Sequence, residues 1–203
     1  MASREQQRRT IRRAKAEAST AEKADLSVAE AFLPFRNSVP ARWLSGAGEF
    51  GDQPPLYAAT GAVAVTGLVL RDWKLTRAGA RMVSAHVAAI TIKNIVKTLV
   101  DRTRPNVIDE KDDYELRQGG RSGHDYTSFP SGHTASSVAV ARALSRDYPA
   151  ARSTALGAAA GIGAAQIGAS RHYVSDVAAG VAIGVIADAI VDLIFRRFPA
   201  RED

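Results

Sequence analysis

A chain of 203 residues is long enough for one sizeable core and too short for two comfortable domains. It contains no cysteine, which excludes a disulfide framework, a thiolate metal site and a cysteine nucleophile. The formal charge is +6, and much of it is local: Arg4, Arg8, Arg9, Arg12, Arg13 and Lys15 crowd the start, a pattern suited to an anionic surface such as lipid headgroups or nucleic acid.

Residues 1–25 read as a basic, Ala- and Glu-rich arm, frayed or helical on a surface. No apolar run follows the arginines, so no cleavable export signal is expected. Residues 26–53 form a second region. Within it Leu26 to Trp43 is weakly amphipathic and broken by Pro34 and Pro40, which suits lying at an interface better than crossing it. A helical domain is expected over 54–198, followed by a polar tail, 199–203.

Within that domain apolar segments alternate with short polar turns. Pro54 to Leu70 carries no charge, and Gly79 to Val100 carries only Arg81, Lys93 and Lys97. Ser153 to Ser170 is uncharged, and Val177 to Phe195 has only Asp188 and Asp192. A membrane span needs about 17–25 mainly apolar residues, and these segments sit at the short end of that range. No period-two alternation persists. The expected fold is an all-α helical bundle, integral to a membrane, with about five or six apolar helices. Gly157 with Gly161, and Gly180 with Gly184, place small residues one turn apart and allow helices to approach closely. A carboxylate at the centre of a span costs about 2.5–3.5 kcal/mol, so Asp188 and Asp192 are expected near the far end of the last helix or facing its neighbours.

Three polar constellations stand at the ends of these segments. In the first, Lys97 occupies the last turn of an apolar helix, and Pro105 stops any continuation just past Arg104. Guanidinium grips phosphate oxygens bidentately and ammonium adds charge, although snorkelling cations at a membrane boundary look the same. A long polar connection then runs from Asp101 to Pro130, and a loop of that length is more often functional than idle. It ends in the second constellation, Phe129-Pro130-Ser131-Gly132-His133, before a helix beginning at Thr134. That helix start offers N–H groups to an anion, Ser131 offers a hydroxyl, and His133 stands where an acid would meet a leaving oxygen. The third is His172-Tyr173-Val174-Ser175-Asp176. Positions four apart on a helix start share a face, so Asp176 can accept from the His172 ring, fix its tautomer and stabilise positive charge on it.

Taken together, the three motifs resemble those of the type-2 phosphatidic acid phosphatase superfamily, which includes lipid phosphatases, bacterial acid phosphatases and vanadium haloperoxidases. Lys-x6-Arg-Pro matches Lys97, Arg104 and Pro105. Pro-Ser-Gly-His matches Pro130 to His133, and Ser-Arg-x5-His-x3-Asp matches at His172 and Asp176. The resemblance covers about Pro54 to Phe195. It implies His172 as nucleophile, Asp176 as its orienter and His133 as the leaving-group acid, with Lys97, Arg104, Ser131 and the Gly132 amide binding phosphoryl oxygens. It implies no metal and no cofactor. One position departs: six residues before His172 stands Gln166 in place of arginine, with Ala165 in place of serine. A Ser170-Arg171 pair occurs instead directly beside His172. Either Gln166 donates a neutral hydrogen bond to the phosphoryl group, or Arg171 supplies the cation.

The resemblance implies a metal-independent phosphatase acting on a lipid phosphate or diphosphate, of phosphatidate or polyprenyl type, through a phosphohistidine. The alternatives are a catalytically weak phosphate-lipid-binding membrane protein and a soluble acid phosphatase; a haloperoxidase fits the short chain poorly. The expected partners are the lipid substrate and the membrane, a bacterial inner membrane crossed several times, with no nucleic acid; association between copies of the chain is left open. Five spans would put the basic N-terminus on the same side as the site. A sixth, Leu26 to Trp43, would put them on opposite sides.

Overall fold

Each uncharged or nearly uncharged run forms a helix, and the turns between them are closed by specific hydrogen bonds. The structure, a computed structural model, describes residues 4–32, 34, 53–108, 114–119 and 123–197. Among these are seven α-helices. A hairpin of α1 (Arg4–Glu17) and α2 (Thr20–Phe32) precedes a bundle of α3 (Gln53–Leu70), α4 (Trp73–Leu99), α5 (Gly132–Asp147), α6 (Arg152–Gly168) and α7 (Val174–Phe195). The all-α expectation holds, with one addition. The connection after α4 contains two three-residue strands, β1 (Val100–Arg102) and β2 (Leu116–Gln118), paired antiparallel. Strands this short leave no alternation to read in a sequence.

The turn from α3 to α4 shows how local chemistry fixes the bundle. Arg71 adopts a left-handed φ of 57°. Its N–H donates to the Leu68 carbonyl at 3.2 Å, and the Asp72 N–H donates to that of Gly67 at 2.9 Å. These two bonds satisfy carbonyls that the helix end leaves bare. Asp72 then caps α4 by accepting the Leu75 N–H at 2.8 Å.

Helix α5 is the axis of the bundle, buried from Thr134 to Ala141 and packed against α4, α6 and α7. Its contacts are built from small side chains: Ala85 and Ala89 of α4, Ala135, Ala139 and Ala143 of α5, and Ala187 of α7 form one core with Met82, Ile183 and Val191. A Cβ on Gly180 would lie 2.7 Å from the Ser131 carbonyl oxygen, and one on Gly184 would lie 2.7 Å from that of Ala135. This glycine pair lets α7 touch the backbone of α5. Gly157 and Gly161 differ, since a Cβ on either meets nothing within 4 Å. Their spacing marks an open face of α6.

Asp188 and Asp192 lie in the last turns of α7 and face neighbouring helices, both buried. Asp188 accepts from Arg142 Nε at 3.0 Å and Arg146 Nη2 at 2.8 Å, both on α5. Asp192 pairs with Arg81 of α4 at 2.7 Å and with Arg146 at 2.7 Å. Arg77 and Arg81 also pair with Asp147.

The N-terminal arm is a docked helical hairpin. The expected division between residues 25 and 26 falls inside α2, and Asp25 and Leu26 are both buried. Leu26 and Ile11 pack with Ile108 and Tyr173. Most of the expected interfacial segment, together with the polar tail 199–203, lies outside the described residues. One described helix, α7, is long and apolar enough to cross a membrane by length and composition, and Pro54–Leu70 is a shorter apolar helix. Val65, Leu68, Val69 and Leu70 of α3 and Ile186, Ile190, Leu193 and Ile194 of α7 are exposed.

Candidate active site

The end of the bundle opposite Asp188 gathers the three motifs. Ser131 is the N-cap of α5, wholly buried, with its Oγ 3.0 Å from that of Thr134. Its N–H donates to the Asp176 carbonyl at 3.0 Å, which ties the second motif to the third. Gly132 and His133 are the first two residues of α5, so their amides point off the helix end. A Cβ on Gly132 would sit 3.2 Å from Lys93 Cδ, and the missing side chain lets the buried Lys93 run beneath this turn.

His172 is set by the end of α6. Ser170 takes a left-handed φ of 54°. The Ser170 N–H donates to the Ile167 carbonyl at 2.9 Å, and the Arg171 N–H donates to that of Gln166 at 3.0 Å. This double closure turns the chain sharply, and the His172 N–H also reaches the Gln166 carbonyl, at 3.2 Å. His172 therefore precedes α7 instead of standing on it, and Tyr173 is the N-cap. The proximity of His172 and Asp176 comes from the cap and not from a shared helix face. Asp176 folds back to accept the Tyr173 N–H at 2.9 Å, and this brings its Oδ2 to 3.6 Å from His172 Nδ1. That separation is a close electrostatic contact, longer than a hydrogen bond.

Asp176 is itself held on three sides. Arg102 Nη1 donates to Oδ1 at 2.7 Å, and the Ser128 hydroxyl donates to Oδ2 at 2.5 Å beside the Tyr173 amide. The Arg102 guanidinium lies 3.9 Å over the Tyr173 ring. Burial works against its charged form, but Asp176, Tyr114 and Asp25 outweigh that and raise its pKa further. His172 is buried, and burial pushes its pKa below the ordinary imidazole value; Asp176 pulls it up, while Arg104 and Lys97 push it down. Burial also lowers Arg104, with Arg171 adding to the effect and Asp176 and Asp125 opposing it. Arg104 and Lys97 thus lie within electrostatic reach of His172, and Arg171 within reach of Arg104. Lys97 Nζ donates to the Thr127 carbonyl at 2.8 Å.

Gln166 is 1% exposed, and neither side-chain oxygen nor nitrogen has a hydrogen-bond partner among the described residues. The Ser170 hydroxyl is buried in the same condition. Four residues of this network carry no role in the sequence reading: Lys93, Arg102, Ser128 and Asp25. Lys93 had a signal, since it lies one turn before Lys97 on the same face. Arg102 stands two residues before Arg104 in the same basic run. Ser128 and Asp25 had none, because each meets Asp176 or its partner Arg102 only through the tertiary fold.

The PAP2 superfamily matches residues 78–199, a stretch that contains all three motifs. The chain belongs to the PAP2 superfamily. The match leaves α1, α2 and α3 outside. Among PAP2 relatives, the lipid A 1-phosphatase of Rhizobium johnstonii is 31% identical over 121 residues, which is 59% of this chain and 48% of that protein. The chain thus spans about half of that relative's length. The decaprenylphosphoryl-5-phosphoribose phosphatase of Mycobacterium tuberculosis is 33% identical over 152 residues, 75% of this chain and 77% of that protein. Two solved structures share the fold. Aquifex aeolicus LpxE has a TM-score of 0.62 at 20% identity, covering 83% of this chain and 94% of its own. The transmembrane PAP2 type phosphatidylglycerolphosphate phosphatase of Bacillus subtilis has a TM-score of 0.61 at 18% identity, covering 92% and 91%.

Proposed function

We propose that this PAP2 protein is a phosphatase that hydrolyses a lipid phosphate monoester or diphosphate, without a metal, through a phosphohistidine on His172. The arrangement around His172 carries the reading. Its Nδ1 faces Asp176, so Nε2 is the nitrogen left for phosphorus, and Lys97 and Arg104 supply positive charge close by. Nε2 attacks phosphorus as the bond to the lipid oxygen breaks, and His133 protonates that oxygen. Asp176 stabilises the charge that develops on the ring. Water, deprotonated by His133, then attacks the same phosphorus, the N–P bond breaks and phosphate leaves. Lys97, Arg104, Ser131 and the Gly132 amide bind the phosphoryl oxygens along the way, joined by either Gln166 or Arg171 in place of the third-motif arginine.

Membrane residence is part of the proposal. It is supported by α7, by the exposed aliphatic side chains of α3 and α7, and by relatives whose names concern lipid substrates. The substrate class is a phosphate on a lipid or polyprenyl tail, met at a bacterial inner membrane that the chain crosses several times. Phosphate release from detergent-purified protein, offered phosphatidate, polyprenyl phosphate and nitrophenyl phosphate, tests this. Turnover is expected to survive chelation and to be blocked by vanadate, which takes up five-coordinate geometry in the same cradle. Activity abolished by chelator and restored by magnesium would count against His172 as nucleophile.

A second reading has an observation of its own. The Gln166 amide, without a hydrogen-bond partner among the described residues and standing where the family places an arginine, suits a protein that binds lipid phosphates and turns them over slowly. Tight binding with turnover near background on every substrate would favour it.

A further inference from the structure

The α1–α2 hairpin lies outside the residues that match the superfamily, yet one of its side chains enters the network behind His172. Asp25 of α2 is 5% exposed, and both of its carboxylate oxygens are engaged. Oδ1 accepts the Ser175 N–H at 3.0 Å. Oδ2 accepts from Arg102 Nη2 at 2.8 Å and from the Ser175 hydroxyl. The other arm of the same guanidinium, Nη1, donates to Asp176 Oδ1 at 2.7 Å and to Ser175 Oγ at 2.7 Å. One cation is therefore shared between two carboxylates, one facing His172 and one delivered by the hairpin. Packing keeps the hairpin carboxylate there, because the neighbouring Leu26 is buried against Ile11 and Tyr173.

We propose that Asp25 is a positioning residue for the phosphatase reaction: by sharing Arg102 with Asp176, it keeps the Asp176 carboxylate electrostatically available to stabilise positive charge on His172. The proposal rests on the reading of His172 as nucleophile. Without Asp25, the full charge of Arg102 falls on Asp176 and cancels the anion that the imidazole needs. In a buried site that cancellation is poorly screened. The hairpin then belongs to the catalytic unit, although nothing in residues 1–32 carries a phosphatase motif.

The sign of the effect separates this role from simple docking. Asp25→Asn keeps the shape and an acceptor for the Ser175 amide but removes one negative charge. The charged form of His172 is then less favoured, so its titration midpoint moves down by about half a pH unit or more. The turnover number falls about tenfold with KM held within about twofold, the mark of an interaction made chiefly in the transition state. The acid limb of kcat/KM moves to lower pH with the midpoint. The groups acting on His172 are Asp176 of α7, Lys97 of α4 and Arg104 after β1, with Arg102, Tyr114 and Glu22 behind the carboxylate. Asp25→Asn replaces none of these groups and changes only how the charge of Arg102 is shared.

The experiment is imidazole NMR titration of His172 in the full-length detergent-solubilised protein, with phosphate release measured on the same samples. Asp25→Glu, which restores the charge, is expected to recover most of both effects; Asp25→Ser carries the Asp25→Asn expectation if that variant does not fold. An unchanged His172 midpoint in a folded neutral variant overturns the proposal whatever the rate. A neutral variant whose His172 midpoint shifts as expected, alongside a wild type that releases no phosphate, instead overturns the phosphatase reading and leaves the electrostatic role of Asp25 standing.

Discussion

The two ends of the bundle handle buried charge in opposite ways. At the far end Asp147, Asp188 and Asp192 are each crossed by two or more arginines, in a network that joins α4, α5 and α7. At the site end two buried carboxylates, Asp25 and Asp176, converge on one arginine, Arg102, while a third, Asp101, pairs with Arg117. Lys97 and Arg104 stand close enough to depress His172, and Gln166 and Ser170 keep buried polar atoms without hydrogen-bond partners among the described residues. A closed set of ion pairs fastens helices; an open set of donors and cations suits an anion that arrives and leaves. Substitutions at the two ends should therefore separate stability from turnover.

The largest contrast is expected between His172 and its leaving-group partner. His172→Ala should lower turnover by at least about a thousandfold on every substrate, since no covalent intermediate forms. His133→Ala should hurt a lipid alkoxide leaving group far more than a nitrophenolate, which needs no proton. Equal losses on both substrate types would end this division of roles.

At the far end, Asp188→Ala removes the counter-charge of Arg142 and one of the two carboxylates paired with Arg146. Breaking a buried pair costs about 3–5 kcal/mol. Water reaches both arginines here, so the lower end, about 3 kcal/mol, is expected, read as a drop in melting temperature in detergent. The protein that remains folded should keep its kcat. A fall in kcat with stability intact would erase the distinction between the two ends.

Much of this contrast was legible in the residues, and the illegible part has a common cause. The uncharged runs announced α3 and α6, and the run broken only by Asp188 and Asp192 announced α7. Asp188 and Asp192 were expected to find partners or an end, and they found both. The three motifs were expected at one end of the bundle, where Lys97, Arg104, Ser131, His172 and Asp176 are found. The hairpin was invisible as a docked element because its weak pattern also fits a frayed arm, and Asp25 reaches Arg102 across 77 positions of chain. The His172–Asp176 approach was anticipated, but through a helix face; the structure makes it through a cap, a geometry set by the αL turn at Ser170.

The glycine pair of α7 ties packing to the site. Gly180→Ala would drive a methyl group against the Ser131 carbonyl and Thr134, a backbone contact that no rotamer change relieves. Overpacking of this kind costs about 1–3 kcal/mol. Because the displaced atoms belong to the turn proposed to bind phosphate, kcat should fall as well. Gly157→Ala, on the open face of α6, should instead be neutral or gain up to about 1 kcal/mol from helix propensity. Equal destabilisation by both would mean that this face of α6 is also closely packed.

The smallest expected change is the most diagnostic for the position where this chain departs from its family. Gln166 is buried, and its amide has no hydrogen-bond partner among the described residues, a condition that costs about 1–3 kcal/mol when nothing else satisfies it. Gln166→Leu keeps the volume and removes the stranded polar atoms, so the melting temperature should rise. If the amide serves a phosphoryl oxygen, the same change should lower kcat/KM by about three- to tenfold, the worth of a neutral hydrogen bond of about 0.5–1.5 kcal/mol. Opposite signs in stability and activity are what a ligand-binding group produces, since its polarity is costly until substrate arrives. Arg171 supplies the comparison. It lies within electrostatic reach of Arg104, so Arg171→Ala should cost more activity than Gln166→Leu, as a charged donor outweighs a neutral one. If Gln166→Leu stabilises without touching turnover while Arg171→Ala abolishes it, Arg171 is the third phosphate-binding group and Gln166 serves only through its carbonyl, which holds the Arg171 and His172 amides. If Gln166→Leu lowers stability, the amide has a protein partner in solution, and the site end is no more open than the far end.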